Sequence, residues 1–174
     1  MSKVLIRPAT AADIGAITRI YAHAVRFGTA SFEIEPPDEP EMARRQRAVV
    51  NAGYPFLVAE ADGTVLGYAY AGPYRARPAY RWSVENSIYV APDAQRRGVG
   101  RALLDALIAE TEHRGFRQMI AVIGDAAQTP SIALHRAAGF RLIGTLEAVG
   151  FKQGRWLDTV LMQRPLGPGA ATGP

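Results

Sequence analysis

The sequence predicts an α/β fold, in which a mixed sheet (α+β) is flanked by about four helices. Strand-like and helix-like segments alternate along 174 residues, a length typical of one domain with a sizeable core. Asp62 and Gly63 join two apolar runs, which is a strong signal for a β-hairpin. Residues 83–123 indicate a strand, a helix and a second strand, as in a right-handed parallel crossover.

Each element follows from the spacing of its apolar residues and from the residues that end it. Apolar side chains three or four positions apart indicate helices, with Thr10 and Thr129 as N-terminal caps and Gly115 and Gly139 after the last turn. Short apolar or alternating runs between turn residues indicate strands. The predicted helices are 10–25, 41–52, 98–114 and 129–138, and the predicted strands are 4–7, 56–61, 64–74, 83–90, 119–123, 142–149 and 156–163.

The composition narrows the possible kinds of site. Cysteine is absent, which excludes disulfides, thiolate zinc sites and a cysteine nucleophile. The net charge is +4, and arginine carries nearly all of the positive charge because Lys3 and Lys152 are the only lysines. Arginine matches the geometry of phosphate and carboxylate groups, so an anionic partner is one interpretation. A general compositional bias explains the excess equally well.

The sequence predicts a cytoplasmic protein that does not bind a membrane. Its N-terminal apolar stretch is too short for a signal peptide, and no apolar run reaches 18 residues. We expect a single domain over residues 1–166. Residues 167–174 contain only glycine, proline, alanine and threonine, and they are predicted to be a disordered C-terminal tail.

The segment with the most specific chemistry is QRRGVG at residues 95–100, between a strand and a helix. Glycine lets the backbone approach a ligand, and the N–H groups of a helix's first turn have no intrahelical partner, so the segment can hold a pyrophosphate. Arg101 and Ala102 stand where a P-loop has Lys-Ser/Thr, and Leu103 replaces the third glycine of the dinucleotide fingerprint. The alternative interpretation is a glycine-rich turn before a helix with a basic end.

This segment resembles the pyrophosphate loop of the GNAT superfamily of acetyl-CoA-dependent N-acetyltransferases. SIALHRAAGF at 131–140 resembles the next helix and strand of that superfamily. Three further segments are similar to the phosphinothricin N-acetyltransferase family: AGPYRAR at 71–77, ENSIYV at 85–90 and GFKQGRWLD at 150–158. The similarity extends over about residues 6–166, and the ordered combination is more specific than any single motif.

The resemblance implies the GNAT fold, acetyl-CoA as the cofactor and two sets of binding residues. The implied cofactor contacts are Ile88, Tyr89 and Val90 along the arm, Arg96, Arg97, Gly98, Val99, Gly100 and Arg101 around the pyrophosphate, and Gln128 and Ser131 further along. Gln128 stands where the family often has asparagine. The implied contacts to an amino acid-like substrate are Arg75, Ala76, Arg77, Glu85, Asn86 and Ser87. From the residues themselves, we expect Tyr74 in the same segment and Phe32, in the loop after the first helix, to add walls to the substrate site.

Glu85 is the candidate general base. Alternation along the strand places it on one face with Ser83, Ser87 and Tyr89. A central parallel strand is normally apolar throughout, so this row indicates a polar cavity. Glu85 then takes a proton from the acceptor amine, directly or through water. The alternative is a solvated carboxylate on an open sheet face.

His135 is the second catalytic candidate. It lies four residues after Ser131, so both side chains project from the same helix face. By resemblance, His135 occupies the position from which the superfamily protonates the departing thiolate, and imidazole can donate a proton near neutral pH. The alternative is a partly buried histidine that makes one structural hydrogen bond.

Residues 74–82 indicate the acceptor site, because they contain both arginines and aromatic residues. The arginines can bind a substrate carboxylate, and the aromatic side chains can exclude water. A solvated basic loop and an RNA-facing patch are the alternatives, but no RNA-binding signature accompanies the segment, and we expect no nucleic acid partner. By resemblance, residues 154–158 lie near a homodimer interface. The expected activity is transfer of acetyl to a small amino acid-like amine; a protein N-terminal acetyltransferase and a non-catalytic CoA sensor are the alternatives.

Overall fold

The computed structural model describes residues 3–174, which form a seven-stranded mixed sheet and four α-helices. The helices are α1 (Ile14–Phe27), α2 (Glu39–Asn51), α3 (Val99–His113) and α4 (Thr129–Ala137). The strands are β1 (Leu5–Pro8), β2 (Phe56–Ala61), β3 (Thr64–Pro73), β4 (Ser83–Val90), β5 (Gln118–Gly124), β6 (Arg141–Lys152) and β7 (Arg155–Pro165). This architecture confirms the predicted α/β fold class.

The strand order in the sheet is β1-β2-β3-β4-β5-β7-β6, and β4 and β5 run parallel. Since α3 connects these two parallel strands, the predicted strand–helix–strand crossover with parallel strands is confirmed. Two tight hairpins flank it. Asp62 and Gly63 connect β2 to β3 with φ of 50° and 75°, and Gln153 and Gly154 connect β6 to β7 with φ of 51° and 75°. Positive φ at both central residues matches the twist of the paired strands.

Helices cover both faces of the sheet. On one face, Ile17 of α1 packs in a cluster with Tyr68 of β3. On the other face, Leu103 and Leu107 of α3 pack with Met162 of β7. All of these side chains are at most 1% exposed, and burying each stabilises the fold by about 1.5–3 kcal/mol. The two faces of the central strand β4 therefore meet different surroundings.

β4 and β5 pair only along their first halves. Residues 83–86 of β4 pair with residues 118–121 of β5, whereas β3 pairs with β4 as far as Val90. The second half of β4 therefore has backbone groups on its β5 side with no strand partner. At the same level of β5, Val122 is 38% exposed. The centre of the sheet thus opens into a cleft.

Three helix starts differ from the prediction. α1 begins at Ile14, because Thr10 caps a short 3-10 turn at Ala11–Asp13 that precedes it. α2 begins at Glu39, because Asp38 caps it by accepting a hydrogen bond from the Glu41 N–H at 2.9 Å. Proline at position 40 fits the first turn, where an N–H is not needed. α4 includes Thr129, and its N-cap is Gln128, one residue earlier than predicted.

The C-terminal segment lies against β5. Leu166 is fully buried, and the Arg117 guanidinium donates hydrogen bonds to the carbonyl oxygens of Gly169 (3.4 Å) and Gly173 (2.7 Å). The domain limit at residue 166 and the disorder of residues 167–174 in solution stay predictions.

Two kinds of feature are absent from residues 3–174. None of the helices there has the length and apolar character that crossing a bilayer requires. No group of three or more histidine or acidic side chains is placed to hold a metal ion.

Candidate active site

Glu85 lies on β4, one residue before the pairing with β5 ends. Its cross-strand neighbours are Gly72 of β3 and Ile120 of β5. The side chain is half-buried and forms no hydrogen bond or ion pair within residues 3–174. Burial disfavours the charged form and raises the pKa of Glu85 above the ordinary value of a glutamate. A carboxyl group of this kind beside a cleft suits a general base.

The face of β4 that carries Glu85 is largely aromatic. Tyr89 packs against Tyr21 and Tyr68, with ring centroids 4.9 and 5.3 Å apart. Ser87 lies opposite Tyr70, which borders a cavity of about 290 Å³ between α2 and the sheet. The predicted sidedness of the row is confirmed. None of its four residues lines this mainly aromatic and aliphatic cavity, so the polar cavity expected beside the row stays a prediction. Alternation along β4 could not show this cavity, because its walls come from α1, α2, β2 and β3.

His135 lies on the opposite side of β4 from Glu85. Its Nε2 is 2.8 Å from Nδ2 of Asn86, and its Nδ1 is 2.8 Å from the carbonyl oxygen of Ser131. The histidine is 5% exposed, and burial lowers its pKa. Burial therefore favours the uncharged ring, and each ring nitrogen has a hydrogen-bond partner.

The start of α3 is open to an anion. Gly98 precedes the helix in the left-handed region (φ 81°), which glycine adopts without strain. No side chain caps the helix, and the first intrahelical bond runs from the Ala102 N–H to Gly98 O at 3.0 Å. The N–H groups of Val99, Gly100 and Arg101 are thus without intrahelical partners at the positive end of the helix dipole.

The three arginines around this helix start are in different situations. Arg96 is exposed and has no hydrogen-bond partner among the described residues. Arg97 is also exposed and makes one long hydrogen bond, 3.5 Å, to the carbonyl oxygen of Asp93. Arg101 donates to Asp105 (2.7 Å) and to the carbonyl oxygen of Ala137 (3.0 Å), so it joins α3 to the end of α4. Arg96 and Arg97 have the most freedom to meet a phosphate.

The loop between β3 and β4 is exposed and basic. The Arg75 guanidinium lies 5.2 Å from the ring centre of Tyr74 and 5.7 Å from that of Tyr80. Neither Arg75 nor Arg77 forms an ion pair in the described part of the chain, and Ala76 between them is exposed. The loop ends where β4 begins, two residues before Glu85. Both guanidinium groups remain available to a substrate carboxylate.

The loop after α1 is fixed to the end of β5 by a polar network that the sequence did not indicate. Thr29 donates to Asp125 at 2.8 Å, and the same carboxylate accepts from Arg155 at 2.5 Å. Gln128, predicted to contact the cofactor, donates its side-chain amide to Thr29 at 3.1 Å. Asp125 has a φ of 69°, an uncommon conformation for a residue with a side chain. That conformation was not readable from the sequence.

The same loop is also held by β6. Lys152 is 5% exposed, and its ammonium group donates to the carbonyl oxygen of Ser31 at 2.6 Å. Burial lowers the pKa of Lys152. The Phe32 ring lies over Gly124 and Gly150, where an added Cβ at either position would collide with it. The wall predicted around Phe32 is thus attached to the β6–β7 hairpin, and these two glycines are the signal that could have revealed it.

The structure brings some of the predicted residues together and leaves others apart. Glu85 and Ser87 lie on the face of β4 that is turned toward α1 and α2, and the loop that carries Arg75 ends at the start of the same strand. Asn86 and His135 touch each other on the other side, with Ser131 one turn away on α4. Residues 96–101 surround the start of α3. Ile88, Tyr89 and Val90 lie on the second half of β4, which is not paired with β5. Gln128 stands apart, with its amide engaged by Thr29.

Residues 17–140 match the Acetyltransferase (GNAT) family. The chain belongs to this family. The phosphinothricin N-acetyltransferase of Alcaligenes faecalis is 59% identical over 162 residues, covering 93% of this chain and 82% of that protein. The L-methionine sulfoximine/L-methionine sulfone acetyltransferase of Salmonella typhimurium is 41% identical over 166 residues, covering 95% and 96%.

A GNAT structure from Sinorhizobium meliloti, a phosphinothricin acetyltransferase in complex with AcCoA, superimposes with a TM-score of 0.96 at 52% identity. The match covers 100% of this chain and 94% of that one. The predicted GNAT fold and the resemblance to phosphinothricin acetyltransferases are therefore confirmed.

Three features of this GNAT chain fit a CoA thioester. The uncapped start of α3 can accept the pyrophosphate, and the parted strands leave free backbone groups for an extended arm. Asn86 Oδ1 is a buried acceptor with no partner among the described residues. Buried polar atoms are nearly always paired, so this atom indicates a partner outside the chain.

Proposed function

We propose that this GNAT N-acetyltransferase moves acetyl from acetyl-CoA to the α-amino group of a small amino acid-like substrate of the phosphinothricin, methionine sulfoximine or methionine sulfone type. The names of its relatives support this class of acceptor. The structural observation that carries the proposal is Glu85, an unpaired, half-buried carboxyl group with a raised pKa beside the cleft. It stands two residues from a loop with two free arginines.

The bound cofactor supplies an acetyl thioester. Glu85 accepts the proton that the acceptor's nitrogen loses, directly or through one water, while the C–N bond forms and the C–S bond breaks. The sulfur leaves with the bonding electron pair. A raised pKa brings the carboxyl group closer to the amine in proton affinity, which makes the transfer less unfavourable.

The acceptor is held at its carboxylate. Arg75 is stiffened by stacking on Tyr74 and Tyr80, and Arg77 follows in the same loop, so a carboxylate can bind to either guanidinium in a bidentate manner. The mainly apolar cavity beside Tyr70 lies on the same side of the sheet as Glu85 and has room for a small side chain. Glu85, the loop with Arg75 and Arg77, and this cavity thus offer a base, an anion site and an apolar space.

An acceptor panel tests the proposal. CoA release from acetyl-CoA is followed with a thiol reagent, to which the cysteine-free protein contributes no background. We expect turnover with phosphinothricin, methionine sulfoximine and methionine sulfone. Methionine sulfone amide, which lacks the carboxylate, is the matched control, and its kcat/KM should be lower by about 10- to 100-fold because a charge-assisted bond is lost.

The panel also separates the competing functions. Activity confined to peptides would establish a protein N-terminal acetyltransferase and overturn the small-acceptor proposal. Tight acetyl-CoA binding with no acetylation of any amine would establish a CoA sensor.

We further propose that two copies associate through β6. β6 is an edge strand, because only β7 pairs with it in the described sheet. Its hairpin with β7 carries large apolar side chains that are 47–66% exposed, namely Leu142, Ile143, Leu146, Val149, Phe151 and Trp156. A long apolar edge invites strand pairing, and a second copy brings an identical strand related by a two-fold axis.

Charge on this edge is expected to separate the copies. The double substitution Leu146→Glu and Val149→Glu places four carboxylates in the proposed interface and should convert a species of twice the 18.8 kDa chain mass into a monomer. Light scattering after size-exclusion chromatography measures this, with Glu147→Gln on the same strand as the control. A wild-type monomer at micromolar concentration would contradict the proposal.

We also propose a cytoplasmic location, which the absence of cysteine supports because reducing compartments do not favour disulfides. Fractionation of cells that express the chain with its native termini measures this. Recovery in the membrane pellet would contradict it.

A further inference from the structure

The contacts of His135 determine where its proton lies. Nδ1 is 2.8 Å from the backbone carbonyl oxygen of Ser131, which can only accept a hydrogen bond, so Nδ1 carries a proton. The Ser131 hydroxyl is a further 3.5 Å neighbour of the same nitrogen. The ring is buried, which disfavours the imidazolium form, and Phe140 packs edge-on against it at 5.0 Å. Nε2 is therefore the unprotonated nitrogen, an acceptor.

The tautomer of His135 fixes the orientation of the Asn86 amide. An unprotonated Nε2 requires a donor, and Asn86 places Nδ2 at 2.8 Å from it. The opposite orientation would set Oδ1 against a lone pair of the ring. The chain of contacts therefore runs from Asn86 Nδ2 to His135 Nε2 and from His135 Nδ1 to Ser131. Asn86 Oδ1 is left as an acceptor without a partner within residues 3–174.

The position of Asn86 indicates the kind of donor that Oδ1 meets. Asn86 is the last residue of β4 that pairs with β5, and the strand parts from β5 immediately afterwards. Its side chain shares a strand face with Ile88 and Val90, on the side of α3 and opposite Glu85. The acceptor amine approaches Glu85 on the other side. Of the two substrates of the proposed reaction, the cofactor, whose arm carries secondary amides, is the one expected on this face.

We propose that His135 is a positioning residue, which holds the Asn86 side chain so that Oδ1 accepts a hydrogen bond from an amide N–H of the acetyl-CoA arm. Asn86 is the residue that touches the cofactor, and His135 acts through it. The inference rests on the proposed use of acetyl-CoA. It gives His135 a different role from the predicted protonation of the thiolate, because the nitrogen nearest the cleft strand holds no proton to give.

The tautomer can be observed directly in the unliganded protein. The chain has three histidines, His23, His113 and His135, so a long-range 1H–15N correlation spectrum of 15N-histidine protein at pH 7 is readily assigned by substitution. We expect His135 as the neutral Nδ1–H tautomer. An Nε2–H tautomer or an imidazolium at pH 7 would overturn the proposal.

A double-mutant cycle on cofactor binding tests the proposed contact between Asn86 and acetyl-CoA and its dependence on His135. Asn86→Leu keeps the shape and removes the amide, and His135→Phe removes both ring nitrogens. Each should weaken acetyl-CoA binding by about 3- to 10-fold, the usual effect of one lost hydrogen bond. The double variant should be no weaker than the single ones, because the two residues act as a unit. Adenosine 3′,5′-bisphosphate lacks the arm, so its affinity should be the same for the two single variants, the double variant and the unmodified protein. This control also shows that the variants fold.

The outcomes separate this inference from the proposed function. Unchanged acetyl-CoA affinity of Asn86→Leu would show that Oδ1 is satisfied by a buried water and would overturn the contact. If His135→Phe lowers kcat by the same factor in the unmodified protein and in the Asn86→Leu variant, His135 would be established as the proton donor. Failure of the unmodified protein to bind acetyl-CoA would instead refute the proposed function itself.

Discussion

Replacing Glu85 by glutamine is expected to lower kcat by about 10²- to 10⁴-fold, the usual contribution of a positioned general base. Glutamine keeps the size of the side chain and cannot take a proton. Because Glu85 has no hydrogen-bond partner within the described chain, the change leaves no orphaned group behind, and stability should be nearly unaffected. Acetyl-CoA affinity should also stay the same, so calorimetry and steady-state kinetics together measure the effect.

The pH dependence of the activity tests the role of Glu85 independently. Burial raises the pKa of Glu85, so the base is protonated and inactive at pH values where an ordinary glutamate is already ionised. Activity should rise with pH through this raised pKa, and the rise should vanish in Glu85→Gln. Glu110→Gln, which removes a half-exposed carboxylate that pairs with Arg114 on α3, is the matched control and should behave like the unmodified protein. An identical acidic limb in Glu85→Gln would exclude Glu85 as the base.

Replacing Gly100 by proline is expected to weaken acetyl-CoA binding by about 10- to 100-fold. Gly100 is the second residue of α3, where its N–H has no intrahelical partner and proline is tolerated. The substitution removes one N–H that we propose binds the pyrophosphate, and a hydrogen bond to a charged group contributes about 1.5–3 kcal/mol. Calorimetric titration with acetyl-CoA measures the loss.

Gly100→Ala is the matched control for this prediction. A Cβ at Gly100 meets Leu134 and Val90 at 3.5 and 3.6 Å, which is ordinary van der Waals contact, and the N–H is retained. The Gly100→Ala variant should bind acetyl-CoA as tightly as the unmodified protein, and its α3 should be more stable by about 1 kcal/mol. Equal affinity of the proline and alanine variants would place the pyrophosphate elsewhere. Weak binding by both would show that the space above Gly100 matters more than its N–H.

The sequence by itself determined the order and type of the elements. Local chemistry decides these features: Asp62-Gly63 favours positive φ at both turn positions, and the apolar spacing before Gly115 admits only a helix. The uncapped glycine start of α3 and the alternation that sets Glu85 and Asn86 on opposite faces of β4 were also readable. Each depends on neighbours within a few positions along the chain.

The tertiary structure alone decided how distant segments complete the site. It placed His135 beside Asn86, 49 positions away, and Lys152 beside Ser31, 121 positions away. It also placed Asp125 between Thr29 and Arg155. The protonation and pairing of these groups depend on burial and on partners from other elements. No local pattern records such partners, because packing brings them together only after the strands and helices have formed.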